Sequence, residues 1–142
     1  MRDEMNDMHL ASAIPPVAAA PTGDTAIVSS IIDRKGYDSL TFAIITGSLA
    51  DADATFAVTM EDGDASNLSD TAAVVAAEIV GTYALAGFTF ALDNGCRKIG
   101  YRGHKRYVRL TITPSNNSGN SCIAAVAILE NGAILPTANP PA

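Results

Sequence analysis

The sequence predicts an all-β fold: an antiparallel β-sandwich or jelly-roll-like body with extended N- and C-terminal arms. Short runs rich in β-branched and aromatic residues alternate apolar with polar positions. Turn residues separate these runs at intervals of roughly ten residues. The clearest run is Arg106–Thr113, RYVRLTIT. Its two-residue period sends Val108, Leu110 and Ile112 to one side and Tyr107, Arg109, Thr111 and Thr113 to the other. One side suits a core, the other water.

Residues 1–23 mix charges, alanines and the prolines Pro15, Pro16 and Pro21. Such a segment buries too little to offset its ordering entropy, so it is expected as an extended arm held by a neighbouring subunit. The body is expected over 24–130. Its first strand, Asp24–Asp33, carries Ile27, Val28, Ile31 and Ile32, and Arg34-Lys35-Gly36 makes a turn. In a second strand, Tyr37–Thr46, Leu40, Phe42 and Ile44 alternate with Ser39, Thr41 and Ala43. A third covers Ala54–Met60, followed by the polar loop EDGDASNLSD at 61–70. The alanines of Thr71–Val80 permit helix and its β-branched residues favour strand. A helical turn near Leu68–Ala72 and a strand from about Ala76 to Thr82 are expected.

Phe88 and Phe90 mark a further strand that ends at the turn signal Asp93-Asn94-Gly95. Lys98–Tyr101 leads through a Gly103-His104 turn into the central strand. Pro114 is expected to end that strand, because it has no N–H to donate. Ser121–Leu129 is apolar at both parities and is expected to be buried on both faces. The proline-rich tail, 131–142, repeats the composition of the arm.

A single core can be built from 142 residues. Hydrophobic residues make up 48% of the chain, charged ones 17%, and tryptophan is absent. Such a chain packs thin layers tightly or hides apolar surface against partners. The net charge of −6 argues against general nucleic-acid affinity. Charge is also segregated: seven of fifteen acids lie between Asp51 and Glu78, and six of nine bases between Arg97 and Arg109. The two groups either pair within one fold or form complementary docking surfaces between subunits. On the docking reading the interface residues are Arg97, Lys98, Tyr101, Arg102, Lys105, Arg106, Tyr107 and Arg109, facing Asp51, Asp53, Asp62 and Asp64.

No constellation suggests catalysis, and no catalytic, cofactor-binding or metal-binding residue is assigned. Asp62-Gly63-Asp64 lacks the alternating acids and terminal glutamate of a calcium loop. His104 sits beside Lys105 and Arg106, a poor place for a general base. Cys96 and Cys122 form no CxxC and are expected as free thiols. The acidic, polar MRDEMNDM is unlike a signal peptide, and no apolar run approaches the ~20 residues of a membrane span. A soluble protein with no membrane partner is expected. A second reading uses Tyr101, Arg102, Lys105, Arg106, Tyr107 and Arg109 to stack on and neutralise single-stranded nucleic acid.

The blocks IIDRKGYDSLTF (31–42), GSLADADATF (47–56), EDGDASNLSD (61–70) and KIGYRGHKRYVRLTITP (98–114) resemble a family of small proteins of tailed bacteriophages and related prophages, found among head-morphogenesis proteins. The resemblance covers roughly residues 24–130 and brings no catalytic motif. It implies a structural virion protein assembled in the host cytoplasm, and most directly a capsid decoration or cement protein on the head exterior. Its partners would be the major capsid protein and further copies of itself, with a trimer or similar ring supplying multivalency. A head–tail connector or tail protein is the alternative within the virion.

Overall fold

The computed structural model describes residues 3–17 and 21–141. Its strands are β1 (His9–Ile14), β2 (Ile27–Val28), β3 (Ile32–Asp33), β4 (Tyr37–Leu49), β5 (Thr55–Gly63), β6 (Ala72–Ala73), β7 (Ile79–Val80), β8 (Phe88–Thr89), β9 (Cys96–Tyr101), β10 (Tyr107–Ser115) and β11 (Ser121–Gly132). One sheet has the order β1-β11-β4-β9-β7; the other runs β2-β10-β5-β6, with β3 also on β10 and β8 on β5. Every pairing described is antiparallel. The fold is a two-sheet β-sandwich, as the alternation predicts.

Alternation sets the core. Leu40, Phe42 and Ile44 of β4 point inward, in register with Leu129, Ala127 and Ala125 of β11. Across the sandwich, Phe56, Val58 and Met60 of β5 oppose Pro114, Ile112 and Leu110 of β10. All of these hydrophobic side chains are buried, and the Phe56 and Phe88 rings stack at 4.9 Å. Burying each large one is worth about 1.5–3 kcal/mol relative to exposure.

Several expectations are corrected. Residues 9–14 are not part of an arm: they form β1 on the edge of the first sheet, with Ala13 and Ile14 buried. The strand expected over 24–33 is split into β2 and β3 by Ser29. That residue's Oγ accepts from the Leu110 N–H, while the Ser30 N–H donates to Ala13 in the opposite sheet. The segment 68–72 has turns in place of a helical turn, Leu68 adopting φ 53°. The expected strand at 76–82 is a 3-10 turn at Ala76–Glu78 followed by the two residues of β7. The one α-helical turn among the described residues, α1 (Tyr83–Ala86), starts where Thr82 Oγ1 accepts from the Leu85 N–H.

Pro114 does not end β10, which runs to Ser115. Past Ile112 the strand is paired with β5 alone, so no second ladder needs an N–H there. The strand β11 is buried on one face only: Ile123, Ala125, Ala127 and Leu129 face the core, whereas Cys122 and Val126 are exposed. At the C-terminus, Thr137 is buried, its N–H and hydroxyl donating to Asn6 and Met8 carbonyls. The tail thus packs on the chain's own N-terminal segment.

The packing gives a direct stability test. Phe42→Ala, at the centre of β4, is expected to destabilise the fold by about 3–5 kcal/mol in chemical denaturation. Thr59→Ala, on the solvent side of β5, is expected to change stability by less than about 0.5 kcal/mol.

Candidate interaction surfaces

Folding brings the basic and acidic segments of the sequence together at one end of the sandwich. Arg109 and Glu61 are register partners on β10 and β5, and Arg109 donates to Glu61 Oε2 at 2.6 and 3.2 Å. Arg106 makes a forked pair with Asp33 at 2.7 and 2.9 Å, and its guanidinium lies 4.9 Å from the Tyr107 ring centre. That hydrogen-bonded fork holds the Asp33 carboxyl below the usual carboxylate range. Lys105 Nζ reaches Asp64 at 2.5 Å. Lys105–Asp64 and Arg109–Glu61 thus join the basic and acidic groups within the fold, while Arg106 pairs with Asp33 outside the acidic group. Exposed pairs of this kind contribute about 0–1 kcal/mol each.

Beneath these pairs lies a buried contact between the sheets. Tyr101 of β9 is 2% exposed and Asp62 of β5 is 5% exposed, and the phenol donates to Asp62 Oδ2 at 2.6 Å. The phenol oxygen in turn accepts from the Lys105 N–H, while the Arg34 guanidinium lies 5.0 Å from the ring centre. Burial and the adjacent carboxylate push the Tyr101 phenol well above its ordinary pKa. Gly103 is required beside it, since a Cβ there would fall 2.3 Å from the phenol oxygen. A buried Tyr101 cannot stack on a nucleobase, so the single-strand reading loses one of its two aromatic platforms.

The other predicted interface residues are scattered. Arg102 donates to the Ala77 carbonyl at 2.8 Å, and Arg97 to that of Cys96 at 3.1 Å. Lys98 is exposed on the outer face of the first sheet. Asp51 and Asp53 lie at the far turn between β4 and β5. There Asp51 accepts from the Ser118 hydroxyl and N–H, both at 2.6 Å, and from the Asp53 N–H at 3.0 Å. These donors, the Ser118 hydroxyl first, lower its pKa to about 2. The two loops are clasped to each other. No group of three or more potential metal ligands occurs among the described residues.

Sequence reasoning missed the outer face of the five-stranded sheet. Register places Val126 beside Ala43 and Ser12, Ala124 beside Ile45, Ile128 beside Leu10 and Thr41, Cys96 beside Ile45, and Val80 beside Gly100. Ile45 is 53% exposed, Val80 56% and the adjoining Leu85 71%. The charged side chains in these rows are Lys98 and Glu130. On the second sheet the corresponding outward positions are Arg109 and Glu61, Thr111 and Thr59, Thr113 and Ala57, with the half-exposed Val28 beside Thr111. The second face is mostly polar and the first mostly apolar. The signal was present in Ser121–Leu129, whose apolar character at both parities reflects a surface that is apolar and open.

Two grooves flank the exposed Ile45. One, of about 270 Å³, lies between Pro16 and Val17 and the Gly47–Cys122–Ala124 side. The other, of about 650 Å³, is lined by Ala43, Val80, Leu85 and Cys96 together with the cationic Arg97 and Lys98. Both thiols are free and exposed.

No protein-family model matches this chain, and no curated protein sequence matches it. Solved structures show remote likeness. The CBM22-1 and GH10 modules of Clostridium thermocellum xylanase 10B, complexed with xylohexaose, align at TM-score 0.44 and 13% identity over 95% of this chain. This chain spans 28% of that one. The SPBc2 prophage-derived protein YomS aligns at TM-score 0.45 and 8% identity, over 87% of this chain and 92% of its own. A chain of infectious bursal disease virus, Gx strain, aligns at 0.43 and 14%, over 91% and 33%. These are likenesses of β-sandwich architecture, and no family is assigned by them.

Two measurements probe this end-to-end arrangement. Tyr101→Phe leaves Asp62 without its buried donor and is expected to cost about 1–3 kcal/mol in denaturant unfolding. Asp51 has a folded pKa below the ordinary 3.8, so its stabilisation is complete above about pH 4 and is lost as pH falls through about 2. The protection of the Ser118 amide, its exchange rate relative to the unfolded chain at the same pH, is therefore expected to fall over that window, and Asp51→Asn is expected to remove most of that change.

Proposed function

We propose that this protein is a non-enzymatic structural subunit of a tailed-bacteriophage virion, a decoration or cement protein on the head exterior that bridges neighbouring major capsid subunits. The observation that carries this reading is the apolar outer face of the five-stranded sheet. A contiguous exposed face of this kind marks a surface meant to be covered. The resemblance of the four sequence blocks to head-morphogenesis proteins supplies the biological setting. The ion pairs at the sandwich end are already satisfied within the chain, so the driving force for attachment lies in apolar burial. Binding through that face is correspondingly insensitive to salt, unlike binding to phosphate backbones.

The test is the number of copies in purified particles, measured by quantitative mass spectrometry against the major capsid protein. Hundreds of copies in a simple ratio to the capsid protein are expected. About six or twelve copies would move the protein to the neck or tail. Complete absence from particles would sink the virion reading. Release of the protein from particles is expected to change little across a salt gradient, and to occur readily on Ile45→Asp.

A further inference from the structure

We infer that the open margin of β9 takes an extended strand from a partner protein, a segment that alternates apolar and acidic side chains. The inference deepens the reading of the first sheet as an attachment surface, and rests on that reading only for which partner brings the strand.

The first observation is an unfinished ladder. On one margin β9 pairs with β4 along its whole length, from Cys96 opposite Ile45 to Tyr101 opposite Leu40. On the other margin β7 covers Tyr101 and Gly100 alone. The Gly95 carbonyl accepts from the Thr46 N–H, and the Arg102 N–H donates to Glu78. Those two bonds fix the parity: odd-numbered residues of β9 bond to β4, and even-numbered ones point to the other margin. The N–H and carbonyl of Lys98 and the N–H of Cys96 therefore face that margin beyond the reach of β7. The Cys96 carbonyl beside them accepts from the Arg97 guanidinium at 3.1 Å. The chain itself does not fill this position, because it turns away at Gly81, φ 95°, into α1.

The second observation is the space left over. The groove of about 650 Å³ has Val80, Gly81 and Leu85 on one side and Cys96, Arg97 and Lys98 on the other. It lies along the line that the next strand would take. The uncovered stretch, Cys96–Ile99, is about 13 Å long.

The third is charge. Of the six bases between Arg97 and Arg109, Lys105, Arg106 and Arg109 each hold a carboxylate and Arg102 holds a carbonyl. Arg97 bonds only to the Cys96 carbonyl, and the Lys98 side chain makes no hydrogen bond or ion pair among the described residues. Two cations without carboxylates, beside apolar Val80 and Leu85, match a strand that carries acids among apolar side chains. A phosphate backbone does not match, since a phosphate cannot donate to the Lys98 carbonyl, whereas a strand offers both donor and acceptor at the ladder spacing. The charges select the sign of the strand, and backbone pairing with apolar burial holds it, in keeping with attachment that changes little with salt.

The experiment uses the full chain and a fluorescent synthetic peptide alternating glutamate and valine over about eight residues. Binding is read by fluorescence anisotropy, and amide hydrogen exchange is followed by NMR on the same complex. Saturable binding with a Kd below about 1 mM is expected. Exchange is expected to slow at the Lys98 and Cys96 amides and to stay unchanged at Arg97 and Ile99, which already bond to β4. A peptide methylated on every backbone nitrogen is expected to bind at least about tenfold more weakly, and so is the parent peptide to a chain carrying Arg97→Glu and Lys98→Glu. No binding below about 1 mM, binding that leaves Lys98 exchange unchanged, or binding that survives complete methylation would each overturn the proposal. Tighter binding of a lysine–valine peptide or of oligothymidylate would overturn it as well. The peptide results on the native chain do not depend on any variant folding. The virion reading fails separately: a strand-binding protein absent from particles overturns that reading alone, and a particle protein that binds no strand overturns only this inference.

Discussion

The hydrogen bond from Tyr101 to Asp62 is the contact on which the charged end of this molecule depends. It joins β9 in one sheet to β5 in the other, inside the protein, where an unpaired carboxylate is expensive. Once the phenol is fixed, its oxygen receives the Lys105 amide, and the chain turns at Gly103 and enters β10. The register of β10 on β5 then sets Arg109 beside Glu61. Arg106 and Lys105 find Asp33 and Asp64 in the same neighbourhood. A run of basic residues that looks outward-directed in the sequence is in this way consumed by local pairing.

Consuming the charges changes what the surface offers to others. The second sheet presents mainly threonines and a satisfied ion pair, groups that water solvates well, with Val28 as an apolar exception. The first sheet presents Ile45, Val126, Val80 and Leu85 with little polar relief. Folding has separated the two characters onto opposite sides of a sandwich whose interior is already full. The apolar face is not spilled core, because Phe42, Ile44 and Leu129 on the same strands already pack against the other sheet. It is a second hydrophobic layer that lacks its facing layer.

Much of the architecture was legible in the chain. The alternation of Leu40, Phe42 and Ile44, and of Val108, Leu110 and Ile112, marks both the strands and their buried sides. Other parts depended on contacts that local pattern does not encode. The strand β1 is alanine-rich and is ordered by the long ladder of β11, a partner more than a hundred residues away. The break at Ser29 exists because its hydroxyl replaces a ladder contact to Leu110. Tyr101 and Asp62 both look like exposed interface groups in the sequence, since a tyrosine or an aspartate in a polar stretch gives no sign that its partner lies across a sandwich. The candidate docking face was hidden for a related reason: an apolar strand looks the same whether its second side meets protein or solvent.

The short outer strands bear on how such a molecule associates. An exposed strand edge is a template on which further strands add without limit. Here β2, β3, β6, β7 and β8 are two residues each, too short to nucleate a growing ladder. The longer edge, β1, runs directly into Pro15 and Pro16, which offer no N–H to an incoming chain. These margins are short, although Cys96–Ile99 of β9 extend past the two residues that β7 covers, and the broad side of the first sheet stays open. Contacts through a broad side are saturated by one partner. Association through that side would add one facing layer and then stop.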